Sequence, residues 1–126
     1  MKKIKYQHAK ELAQRVLLEQ NVFECPINVR EICNNYGIVV ATYQSVKKTP
    51  GCCFIYDGVP MIFIDNRMTK AKQSFVCAHE LGHILMGHVG TWWNIEDTSS
   101  LPKRLKESVA TTFAIELDMH LRNDCV

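Results

Sequence analysis

One long stretch of the sequence, residues 69–87, restricts the possible folds more than any other. It contains no proline, its second half is largely apolar, and Gly87 and Gly90 supply signals that commonly end a helix. We therefore predict a long helix over this range. Any polar side chain in its apolar part needs a partner, because a helix this apolar is expected to be half buried.

Two further helices are predicted near the start of the chain. Residues 6–20 carry apolar side chains at helical spacing, which predicts the first. The second is expected to open at Pro26-Ile27-Asn28, because Asn28 with Glu31 three residues later forms a capping-box pattern. Gly37 is placed to end it.

Three runs of β-branched and aromatic residues then predict strands at residues 38–43, 52–56 and 61–65. Asp57-Gly58 lies between the last two runs and is a hairpin signal. We expect Val59-Pro60 to complete that loop.

The last predicted helix begins at Ser99-Ser100-Leu101-Pro102, where a proline in the first turn costs no hydrogen bond. Apolar residues repeat every four positions along it: Leu105, Val109, Phe113 and Leu117. The order of elements predicts an α+β fold, with a small three-stranded, mostly antiparallel sheet packed with about four helices. A chain of 126 residues is expected to form one domain, residues 1–126.

Charge and cysteine content exclude several classes of protein. The net charge of +2, from 15 basic and 13 acidic residues, is too small to indicate a nucleic-acid-binding surface. No apolar run suits a signal peptide or a membrane span, so we expect a soluble, cytoplasmic protein without a membrane partner. In that compartment the six cysteines should be free thiols, and no C-x-x-C pair indicates a zinc ribbon.

The segment His79-Glu80-Leu81-Gly82-His83 is the pattern that points to chemistry. Residues four apart on a helix share a face, so His79 and His83 can reach one metal ion. Glu80 projects about 100° further around the helix and is placed to take a proton from a water that the metal activates. We interpret the histidines as zinc ligands and Glu80 as the catalytic base. Cys77 is expected on the opposite side of the helix, as a buried thiol.

A catalytic zinc ion needs a third protein ligand and an open position. The candidates are His88, Glu96, Asp97, Glu107 and His120. Glu107 is favoured because it lies beside the apolar stripe of the last helix, in line with Ala110 and Ala114, whose small side chains allow close packing. His88 lies near the end of its helix and is expected off the metal face, as a surface or capping residue.

Three segments together are similar to one known family. They are the strand at 61–65, the H-E-x-x-H pattern at 79–83, and residues 107–114, which read E-x-x-A-x-x-F-A. On these segments the chain resembles the ImmA/IrrE family of metallo-endopeptidases, over about residues 26–119. The resemblance implies a minimal zincin-like domain in which Glu107 is the third zinc ligand. It also implies a site-specific protease whose protein substrate is a helix-turn-helix, DNA-binding repressor of a prophage or mobile element.

Further roles stay open at the level of the sequence. Four residues are candidates for an additional donor to the oxyanion of the transition state: Tyr56, His88, Arg104 and His120. The strand from Gly51 to Tyr56 is a candidate edge for pairing with an extended substrate. The alternative function is a zinc-containing antirepressor or sensor that binds its partner without cutting it, although the presence of Glu80 favours catalysis.

Overall fold

The computed structural model describes residues 2–20, 28–44, 49–89 and 101–123. Within these ranges the chain forms four helices and three strands, which confirms the predicted α+β class. In chain order they are α1 (Lys2–Glu19), α2 (Val29–Asn35), β1 (Val39–Tyr43), β2 (Gly51–Tyr56), β3 (Val59–Asp65), α3 (Lys70–Leu85) and α4 (Lys103–Asn123).

Side chains cap the starts of two helices, and the cap of α2 is the one that the sequence predicts. The Asn28 side chain caps α2 by accepting a hydrogen bond of 3.3 Å from the backbone N–H of Glu31. Thr69 caps α3 in the same way, accepting from Lys72 at 3.2 Å. Gly37 follows α2 with φ of +78°, a conformation that glycine adopts without strain. The Thr69 cap fixes where α3 begins, and therefore which turns of that helix carry its polar residues.

The sheet has the strand order β1-β3-β2, so the last strand in sequence lies in the centre. β2 runs antiparallel to β3, with Cys53 opposite Ile62. β1 runs parallel to β3, with Val39 opposite Met61. Three strands laid side by side in chain order would be wholly antiparallel, but insertion of β3 between the other two makes the sheet mixed. The mostly antiparallel arrangement that we predicted therefore holds for one of its two strand pairs.

A two-residue turn joins β2 to β3. Asp57 and Gly58 both have positive φ, at +51° and +80°, as the tight hairpin turn requires. Val59 and Pro60 belong to β3 and pair with β2, so the prediction that they complete the loop is wrong. Proline is tolerated there because β1 pairs with β3 only from Met61 onward, which leaves this position with one neighbouring strand.

The core lies on both sides of α3. One side of α3 packs on the sheet, where Ile62 and Ile64 of β3 are buried, and the other packs on α4, which in turn contacts α1. Val109, Phe113 and Leu117 are buried along α4, as their spacing predicts. α3 therefore packs against other elements on two sides, with its polar residues between them. No helix in the described residues is long and apolar enough to cross a bilayer.

Some residues named in the sequence analysis lie outside the part that the structure describes. They are Pro26, Ile27, Gly90, Glu96, Asp97, Ser99, Ser100, the side chain of His120, and two of the six cysteines, Cys25 and Cys125.

Candidate metal centre

The polar residues of α3 are held in a largely buried part of that helix. His79 and His83 lie one turn apart, with their Nε2 atoms separated by 3.1 Å. His83 is 7% exposed and Glu80 is 8% exposed, which is unusual for titratable side chains. The helix therefore turns both imidazoles toward one point, as the four-residue spacing predicts.

A carboxylate from α4 meets the same point. Glu107 places Oε2 2.6 Å from His83 Nε2 and Oε1 3.5 Å from His79 Nε2. Its side chain is 55% exposed, so the centre is open to solvent on this side. The structure thus brings together the three residues that the sequence singled out as ligand candidates on α3 and α4.

The spacing of these three groups fits a divalent metal ion. Ligand atoms at about 2.0–2.1 Å from a tetrahedral zinc ion stand about 3.3–3.4 Å apart. The corresponding separations in the structure are 2.6, 3.1 and 3.5 Å, of which the shortest is a hydrogen-bond distance and the other two lie near that value. Facing lone pairs on imidazole nitrogens and carboxylate oxygens repel one another at such distances, so the contacts need either shared protons or a metal ion between the groups. Two nitrogens and one oxygen are also the donor set that suits zinc.

The protonation state of His83 suits a metal ligand. Burial lowers the pKa of its imidazole to about 4, although Glu107 opposes that shift. The ring is therefore neutral near pH 7, and a neutral imidazole is the form that coordinates a metal.

The second carboxylate, Glu80, has different surroundings from Glu107. The ligand atoms of His79, Glu80 and His83 lie within 4.8 Å of one another, which is looser than the contacts of Glu107. Burial raises the pKa of Glu80 above its ordinary value, while a hydrogen bond from the Cys53 thiol and the charge of His79 act in the opposite direction. Glu80 thus lies next to the two histidines, in more buried surroundings than Glu107.

The outer nitrogens of the two imidazoles also have partners. Thr111 Oγ1 on α4 lies 3.2 Å from His79 Nδ1. His88 Nδ1 lies 2.8 Å from His83 Nδ1. His88 is off the metal face, as expected, but its contact with His83 is a feature that the sequence did not predict. The sequence feature that could have identified Thr111 as a contact of His79 is its position one helical turn after Glu107.

Residues 33–122 match the sequence model of the peptidase M78 family, described as the IrrE N-terminal-like domain. The match covers most of the chain and includes every residue of the centre. The chain belongs to the peptidase M78 family. This confirms the resemblance inferred from the H-E-x-x-H pattern and the glutamate helix. No curated protein and no solved structure matches the chain significantly.

The remaining candidates lie at the periphery of the M78 centre or away from it. Tyr56 is 70% exposed at the hairpin end of β2. The opposite end of β2 lies nearer to the centre, since a β-carbon on Gly51 would lie 3.8 Å from Cγ of Glu80. Arg104 is exposed on the first turn of α4. Cys77 is buried, as predicted, with its sulfur 3.7 Å from that of Cys33.

Proposed function

We propose that this protein is a zinc-dependent endopeptidase of the cytoplasm that hydrolyses a specific protein substrate. The substrate we propose is a helix-turn-helix, DNA-binding repressor of a prophage or mobile element. The observation that carries the peptidase proposal is the convergence of His79, His83 and Glu107 beside the buried carboxylate of Glu80. Membership of the M78 family supports the same reaction class.

His79, His83 and Glu107 would hold the ion. When bound, zinc supplies Lewis acidity, which polarises a peptide carbonyl and makes a water molecule more acidic. Glu80 accepts the proton of the attacking water on its carboxylate and passes it to the amine that leaves. Two separate carboxylates are therefore needed, that of Glu107 as a metal ligand and that of Glu80 as a proton carrier.

The surroundings of Glu80 suit that proton transfer. Burial raises its pKa, and a carboxylate with a raised pKa accepts a proton more readily and still releases it to an amine. The Cys53 thiol limits the shift by donating a hydrogen bond to the ionised form. That hydrogen bond favours the ionised carboxylate in a position that is almost fully buried.

Strand β2 is the proposed docking edge for the substrate backbone. In the described sheet β2 pairs with β3 alone, so its other side faces away from the sheet. Gly51 at its near end approaches Glu80 closely. An extended peptide that paired with this edge would pass beside the carboxylate that moves the proton.

The test is incubation of the zinc-loaded protein with the helix-turn-helix repressor encoded beside it. Mass spectrometry of the products should identify a single main cut, which a chelator abolishes and fresh zinc restores. The Glu80→Gln protein is the matched control and should leave the repressor intact. A repressor that is bound but stays whole would replace the proposal with the antirepressor or sensor function. A repressor that is neither bound nor cut would remove it as the substrate.

A further inference from the structure

The imidazoles of the centre each have two ring nitrogens, and only one can face a metal ion. Nε2 of His79 and Nε2 of His83 face Glu107, so both Nδ1 atoms point away from the centre. A ligand histidine binds well only if its outer nitrogen carries the proton, which leaves the lone pair on the inner one. The hydrogen-bond partner of each Nδ1 therefore decides whether the Nε2 lone pair of that histidine is free to bind a metal ion.

For His79 that contact comes from α4. Thr111 lies one turn after Glu107 on the same face of the helix, and its hydroxyl is 3.2 Å from His79 Nδ1. A hydroxyl oxygen accepts a hydrogen bond from Nδ1–H. One helix thus contacts both nitrogens of the same ring, with a carboxylate at Nε2 and a hydroxyl at Nδ1.

For His83 the contact follows from how α3 ends. The N–H of Gly87 donates to the carbonyl of Ile84 at 3.2 Å, and the N–H of His88 donates to the carbonyl of His83 at 2.9 Å. This pair of bonds is the Schellman motif, and it needs the φ of +76° that Gly87 adopts. The motif turns the chain back over the last turn of α3. His88 Nδ1 is thereby placed 2.8 Å from His83 Nδ1, where it can accept a hydrogen bond when His83 carries its proton on Nδ1.

We propose that Thr111 and His88 are positioning residues that hold His79 and His83 in the Nδ1–H tautomer, with both Nε2 lone pairs directed at the metal. This inference rests on the proposed function, since it takes the centre to bind zinc. Loss of such an outer contact typically weakens metal binding by about 10–100-fold. The expected effect is therefore a change in zinc affinity, which can be measured without any substrate.

Thr111 offers a well-matched set of variants. Thr111→Val keeps the shape of the side chain and removes the acceptor, so its zinc dissociation constant should rise by about 10–100-fold. Thr111→Ser keeps the hydroxyl and should restore affinity close to that of the unaltered protein. Thr112→Val is the control, because the Thr112 hydroxyl bonds the carbonyl of Ser108 within α4, and its affinity should not change. Competition with a chromophoric chelator measures all four proteins.

His88 is tested in the same way. His88→Phe keeps a ring but removes the acceptor and should weaken zinc binding. His88→Asn places an oxygen where Nδ1 lies and should recover much of the affinity. Thermal unfolding of the metal-free variants separates a general loss of stability from a specific loss of binding.

The wild-type protein alone provides a second measurement. Long-range ¹H–¹⁵N spectra of the zinc-loaded form report which nitrogen of each imidazole carries the proton. Nδ1–H in both His79 and His83 is expected, and Nε2–H in either would overturn the inference. Unchanged zinc affinity in Thr111→Val and His88→Phe would also overturn it while leaving the zinc site intact. A wild-type protein that binds no zinc would instead remove the proposed function.

Discussion

A β-carbon added to Gly82 would lie 2.9 Å from Cδ1 of Phe113 and 3.3 Å from its Cγ. Gly82 lies between the two histidines of α3, and Phe113 is buried on α4, less than two turns after Glu107. The missing side chain at position 82 therefore lets the two helices approach closely enough for Glu107 to reach His83. The glycine of one motif and the phenylalanine of the other set the distance that the metal centre needs.

The first prediction concerns this contact. Gly82→Ala should destabilise the protein by about 1–3 kcal/mol, because the added methyl group overpacks a filled core. It should also weaken zinc binding, because α4 must move away and carries Glu107 with it. Urea unfolding and zinc competition measure the two effects. Adding Phe113→Leu should recover part of both losses, since the clash is with that ring. A Gly82→Ala protein with unchanged stability and affinity would show that the helices adjust freely.

The second prediction concerns the third ligand. Glu107→Gln replaces a charged oxygen donor by a neutral amide, so zinc affinity should fall by at least the ~10–100-fold that loss of an outer contact causes. Glu116→Gln is the control, because Glu116 also lies on α4 but accepts a hydrogen bond from Gln14 at 3.0 Å, away from the centre. Isothermal titration with zinc measures both. Full affinity in Glu107→Gln would place the third ligand elsewhere, with Asp97 as the next candidate.

The third prediction concerns the proton carrier. Glu80→Gln should keep the fold and zinc binding but lose peptidase activity by at least the ~10²–10⁴ that a general base contributes. Circular dichroism, metal analysis and the rate of repressor cleavage test the three parts. Undiminished cleavage by a preparation free of other proteases would remove Glu80 from the mechanism.

The fourth prediction concerns pH. Glu80 must be ionised to accept a proton, so activity falls as the pH drops through its pKa, which burial raises. The hydrogen bond from Cys53 lowers that pKa. Its removal in Cys53→Ala should therefore shift the acidic limb of kcat/KM to higher pH. Cys52→Ala is the control, because adjacent residues on a strand face opposite sides of the sheet. An acidic limb that stays in place, or moves to lower pH, would contradict the role of the thiol.

The fifth prediction concerns the thiols. Cys33 and Cys77 are buried with their sulfurs 3.7 Å apart, and the hydrogen bond between them together with burial raises the pKa of Cys33. Both should react with a thiol reagent only after denaturation, because both side chains are shielded from solvent. Cys52, which is partly exposed, should react in the native protein. Labelling without reductant, followed by peptide mapping, measures this. A disulfide or fast labelling of Cys77 would contradict it.

The residues of the centre that lie together on α3 could be predicted from the sequence. Its contacts between distant segments of the chain could be predicted less well. The favoured role of Glu107 came from its place beside an apolar stripe, which predicts a face but not a distance. The contact of Thr111 was missed because it depends on how closely α4 approaches α3. The central position of β3 was missed for a similar reason, since strand order depends on pairing between distant segments rather than on local pattern.

The sequence by itself determined that two imidazoles share one face of α3 with a glutamate beside them, because helical periodicity and the cap at Thr69 are local properties. It also indicated where α3 ends, because glycine takes the positive φ found at Gly87 without strain. Only the tertiary structure decided that Glu107 meets His79 and His83 and that Glu80 and His83 are buried. Both follow from the packing of α4 and the sheet against α3, and burial is what shifts the pKa values on which the proposed chemistry depends.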